Sequence, residues 1–100
     1  MIDKELKAKL MKLLEENILI DSESFSIEKY EDFLQKTWDL KEEFGLENNP
    51  LVFLPEPAHT AYYEMMADSM DYFTEPSREA IESYLAKMRV AYEKFKAVNE

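Results

Sequence analysis

Residues 25–45 read FSIEKYEDFLQKTWDLKEEFG, and this stretch decides how the chain folds. Ser26 has the side chain of an N-cap, able to accept from the first free N–H groups of a helix. Phe25 before it and Tyr30 within the first turns have the spacing of a hydrophobic staple. Ile27, Tyr30, Leu34, Trp38 and Phe44 return on a three-to-four residue rhythm. Gly45 then stands where a helix ends on a residue with positive φ. The spacing predicts a helix over 27–44.

The same rhythm extends on both sides. Upstream, Ile2, Leu6, Leu10, Leu13 and Leu14 share one face behind Asp3 as N-cap, and Lys4, Lys7, Lys9 and Lys12 take the remaining positions. Asn17 and the β-branched Ile18 and Ile20 weaken that helix, and Asp21–Ser24 reads as a connection. Downstream, Ala58, Ala61, Tyr62, Met65, Met66, Ser69, Tyr72 and Phe73 predict a third helix from about Pro57 to Phe73, with Pro57 at its first position. Tyr63, Ala67 and Met70 widen its apolar arc, for burial or for a patch that dimerises. A fourth helix follows Thr74-Glu75-Pro76 with the stripe Ile81, Tyr84, Leu85, Met88, Ala91, Tyr92, Phe95 and Val98. Lys94 and Lys96 complement the dipole of its last turns. Period-two alternation is missing throughout. The expected fold is all-α: a four-helix antiparallel bundle, with residues 1–100 forming a single helical domain.

One connection breaks this pattern. In residues 45–56, Pro50 and Pro55 bracket the apolar run Leu51, Val52, Phe53 and Leu54. Proline disfavours helix for the residue before it, so the expectation is a long extended apolar loop between helices 2 and 3. It either lies across the bundle as a cap on the core or offers Phe53 and Leu54 as anchors for a partner or a second copy.

Composition narrows the chemistry. One glycine among 100 residues leaves no phosphate-cradling loop, and the absence of cysteine removes thiolate catalysis, disulfides and cysteine–zinc sites. The single histidine, His59, sits in Glu56-Pro57-Ala58-His59, which matches a Glu-x-x-His spacing once where a carboxylate-bridged metal bundle needs it twice. No metal or cofactor is expected, no catalytic residue is nominated, and the protein is read as not an enzyme. Met1–Glu5 is charged from the outset and no apolar run approaches the length of a membrane span. The expectation is a soluble, cytoplasmic protein.

Charge is the remaining signal. The formal net charge is −10, and residues 21–75 hold 14 acids against Lys29, Lys36 and Lys41. Such a field repels nucleic acid and anionic membrane and favours a basic protein partner, although acidic surfaces also serve plain solubility. On the second helix Glu28–Asp32 and Asp39–Glu43 are i,i+4 pairs, and on the third Glu64, Asp68 and Asp71 line one ridge. The residues expected to meet a partner are therefore Glu28, Asp32, Asp39, Glu43, Phe53, Leu54, Glu64, Asp68 and Asp71. Size, charge and fold class place the chain with inhibitors, immunity proteins, antitoxins and anti-defence proteins of bacteria and phages, by analogy only. The alternative is a self-associating assembly module, a homodimer or larger, held through residues 51–54 and helix 3.

Overall fold

Asp3 caps the first helix through its carboxylate, which accepts from the N–H groups of Glu5 at 2.8 Å and Leu6 at 3.2 Å. A computed structural model describes the backbone of residues 2–68 and 76–97. These form α1 (Lys4–Asn17), α2 (Ile27–Phe44), a 3-10 turn (Pro50–Phe53), α3 (Ala58–Asp68) and α4 (Arg78–Ala97). The described residues are helical or connecting, with no strand among them, so the chain is all-α. Ser69, Met70, Asp71, Tyr72, Phe73, Thr74 and Val98 lie outside the described residues, as does the predicted far end of the third helix.

The expected punctuation of α2 is all present. Ser26 Oγ accepts from Lys29 N–H at 3.1 Å, and the Phe25 and Tyr30 rings meet at 6.2 Å as the staple requires. Gly45 has φ +60°, and Leu46 N–H reaches back to Lys41 C=O at 3.0 Å, closing the helix end. The buried row, however, is displaced from the expected one. Tyr30, Phe33, Thr37 and Leu40 face the core, while Trp38 is 49% exposed. Thr37 has no exposed surface because its hydroxyl is satisfied twice: it donates to Leu34 C=O at 2.6 Å and accepts from Asn49 Nδ2 at 2.8 Å. A hydropathy stripe counts threonine as polar and tryptophan as apolar, and so selects the neighbouring row.

Helix α1 buries Leu6, Leu10 and Leu14 as expected, Ile2 is buried just ahead of it, and Leu13 is half-buried. Lys7 departs from the expectation of a solvent-facing lysine. It is 5% exposed, with its stem along α4, its ammonium donating to Lys96 C=O at 3.3 Å and lying 5.7 Å from the Phe95 ring centre. In α4 every predicted stripe residue from Ile81 to Phe95 is buried. Its start is later than Pro76 suggested: Ser77 accepts from Ala80 N–H at 3.1 Å and serves as the cap.

The linker is also corrected. It is not extended throughout but contains the turn Pro50–Phe53. Asn49 and Leu54, the residues before the two prolines, do have extended backbone (ψ 135° and 134°), so the proline rule holds where it applies. Between them, Asn49 Oδ1 accepts from Leu51 N–H at 2.9 Å and nucleates the turn. Pro50 and Leu54 point inward while Val52 and Phe53 point out. The turn packs on α2, α3 packs on α4, and α1 contacts both α2 and α4. Helices α2 and α3 are not among the closely packed pairs, and the groove described next opens between them.

Candidate partner-binding surface

Four elements enclose an open groove of about 450 Å³. Tyr30, Leu34 and Trp38 form one i,i+4 row on α2 and make its first wall. Leu51, Val52 and Leu54 close one side from the turn, and His59, Tyr62 and Tyr63 stand opposite on α3. Phe33, Tyr84 and Met88 reach into it from beneath. Among the described residues the lining includes no lysine, arginine or carboxylate; its polar groups come from Asn49, His59 and the tyrosines.

Aromatic packing holds this region together. Tyr30 and Tyr62 stack across the groove with centres 6.0 Å apart and an interplanar angle of 27°, while Tyr84 meets Tyr30 edge-on at 5.8 Å. Burial pushes both phenols well above their ordinary pKa, Tyr30 further than Tyr84. Polar ties fix the walls. The Thr37–Asn49 bond pins the turn to α2, and His59 Nε2 donates to Leu54 C=O at 3.0 Å, joining α3 to the linker. A carbonyl can only accept, so that imidazole carries its proton on Nε2.

Glu56 is committed to the start of α3. Its carboxylate accepts from His59 N–H at 2.8 Å and Thr60 N–H at 3.2 Å, and also from the Thr60 hydroxyl. The Thr60 hydroxyl bond is the main cause holding its pKa below the usual carboxylate value. Both ends of the Glu56–His59 motif thus serve the helix start and the linker. Among the described residues no group of three or more His, Asp or Glu side chains could hold a metal ion.

The acids singled out from sequence are distributed unevenly. Glu28, Asp32, Asp39 and Glu43 are all exposed on α2. Asp32 pairs with Lys36 at 3.3 Å, Glu43 pairs with Lys9 of α1, and Asp39 accepts from Gln35 at 3.2 Å. Asp39 also borders a shallow depression shared with Lys9, Lys12 and Lys36, so this edge of α2 is of mixed sign. Glu64 pairs with Lys87 of α4. Asp68 ends α3, with its side chain outside the described atoms, and Asp71 lies outside altogether. Of the two apolar anchors, Phe53 is 40% exposed but Leu54 only 5%, which places Leu54 in the core.

Sequence reasoning set Trp38 and Met66 on core stripes, and they are 49% and 38% exposed; Val52 and Tyr63, which it left open between burial and a surface patch, are 56% and 70% exposed. A signal for Trp38 existed. Leu34–Trp38 runs beside Phe33–Thr37–Leu40 as a second apolar row, more than one buried stripe requires. No helix among the described residues is long and apolar enough to cross a membrane. Comparison with protein-family models, with curated proteins and with solved structures finds no match for this chain.

Proposed function

We propose that this protein works by binding a partner protein, without catalysis, in the manner of an inhibitor, immunity protein, antitoxin or anti-defence protein. The observation that carries the reading is where exposed apolar surface falls. Trp38, Val52, Phe53, Tyr63 and Met66 all lie between residues 38 and 66, and Val90 is the one large exposed apolar side chain elsewhere among the described residues. The same half of the chain holds the excess of acids. Apolar anchors set in a charged surround are the ordinary anatomy of a protein interface. The architecture behind this proposal is one domain over 1–100, folded as an antiparallel four-helix bundle in the cytoplasm. Supporting the antiparallel order alone, Lys9 meets Glu43 and Lys94 meets the Glu56 carbonyl, each tie joining the early part of one helix region to the late part of its neighbour.

Crosslinked capture from the native cell tests the charged part of this reading. Lysines at Glu28, Asp32, Asp39 and Glu43 should abolish capture of the partner taken by the wild type, at nearly unchanged melting temperature. Equal capture by both proteins would remove that face from the interface. The second reading is self-association, favoured specifically by the outward Val52 and Phe53. It predicts a concentration-dependent mass in light scattering that Phe53→Asp abolishes; a constant monomer mass would dispose of it.

A further inference from the structure

We infer that the groove between α2, the Pro50–Phe53 turn and α3 takes a basic amphipathic helix of the partner; this rests on the partner-binding reading above. Shape is the first reason. The row Tyr30–Leu34–Trp38 runs over nine residues, eight rises of the helix, or about 12 Å and just over two turns. A helix lying along such a wall presents anchors at i, i+3 or i+4, and i+7 over that length. Trp38, Val52 and Tyr63 stand exposed on the three walls, ready to close over it.

Charge is the second reason, and it selects the occupant. Among the described residues the groove lining holds no lysine, arginine or carboxylate. Just outside Leu34 and Trp38 stand their helix neighbours Glu31 and Glu42, both exposed and neither in an ion pair among the described residues. Glu47, in the linker that leads into the turn, is likewise exposed and without an ion pair there. On the opposite edge of α2, by contrast, Asp32 and Glu43 already have lysine partners. Glu28 and Asp39, away from the groove, also lack an ion pair among the described residues; Glu31 and Glu42 are the unpaired acids of α2 that stand beside Leu34 and Trp38, and Lys41 is the one base at such a spacing, at i+3 from Trp38. An apolar stripe flanked by lysine or arginine complements that surface, whereas a second copy would bring another net −10 against it. The ties Asn49–Thr37 and His59–Leu54 set the walls before anything binds, which lowers the ordering cost of association.

Trp38 is the only tryptophan and borders the groove, so its emission reports occupancy directly. The probe is an 18-residue Leu/Lys peptide with helical periodicity and no tryptophan. Two controls are a scrambled peptide of equal composition and a Leu/Glu counterpart. The expected result is a saturable blue shift for the Leu/Lys peptide that weakens with salt and is absent for both controls. Lysines at Glu31, Glu42 and Glu47 should weaken binding by about tenfold or more with unchanged melting, and Tyr63→Ser should weaken it too. Equal response to the scrambled or acidic peptide, or no response at all, overturns the inference. So does a blue shift that follows protein concentration without peptide, which would identify a second copy as the occupant. If native-cell capture remains sensitive to lysines on α2 while the peptide fails, the groove assignment falls alone and partner binding stands.

Discussion

Asn49→Ala should destabilise the protein by about 2 kcal/mol, although Asn49 lies in a loop. Its amide donates to Thr37 Oγ1 at 2.8 Å and its carbonyl oxygen accepts from Leu51 N–H at 2.9 Å, so truncation removes two hydrogen bonds. Each contributes about 0.5–1.5 kcal/mol net, and the Thr37 oxygen left behind has no exposed surface through which water could replace the lost donor. With a urea m-value of about 2 kcal/mol/M for a small domain, the midpoint should fall by about 1 M. Thr37→Val breaks the same bond from the other side and should cost a similar amount. Because both changes delete one shared interaction, the double variant should fall short of additivity by about 1 kcal/mol. Urea titrations followed by circular dichroism and by Trp38 emission supply all four corners of the cycle. Single costs below about 0.5 kcal/mol, or full additivity, would refute the view that this bond pins the turn to α2.

Three further outcomes follow from the same structure. Tyr30 and Tyr84 are raised by burial, and Tyr92, donating to the Glu15 carboxylate, is pushed up to about 12. The neutral phenol is thus favoured in the fold, so the Tyr92 contribution is full below about pH 10 and lost as pH rises towards 12. A phenolate titration should show these three tyrosines ionising late, and simultaneous ionisation of all six near pH 10 in a still-helical protein would contradict the packing. Gly45→Ala should cost about 1 kcal/mol in chemical denaturation even though nothing lies within 4 Å of the added carbon, because φ of +60° disfavours an L side chain. Glu56 has a lowered pKa, so its capping contribution is complete above about pH 4.5 and is lost as pH falls through the folded value. Glu56→Gln should flatten that part of the acid profile of helicity, and an unchanged profile would remove Glu56 as the organiser of α3.

Local signals in the sequence were sufficient for the start of α1 and for both ends of α2, though not for the start of α4. Ser26, Asp3, Gly45 and the Phe25–Tyr30 staple act through neighbours a few residues away, and each is found where its chemistry predicts. Features that depend on distant partners were not legible. Thr37 is buried because Asn49 reaches it from the linker, and Lys7 is buried because the end of α4 supplies a carbonyl and an aromatic ring. The candidate surface was legible only in outline. An acidic middle region and an anomalous apolar linker can be read from composition and order, but the sorting of Leu54 inward and Val52 outward required the turn. Likewise, the acids on α2 looked equivalent in sequence. Lys9 pairs with Glu43 and Lys36 with Asp32, while Glu28, Glu31, Asp39 and Glu42 have no ion pair among the described residues, and of these Glu31 and Glu42 stand beside the groove.

Chemical-shift mapping with the Leu/Lys peptide tests the central claim most directly, because it reads every amide and the Trp38 indole at once. The account predicts that perturbations gather on Leu34, Trp38, Val52, His59 and Tyr63, the residues that border the groove. Perturbations confined to Asp32, Asp39 and Glu43 on the other edge of α2, with the Trp38 indole unmoved, would contradict it.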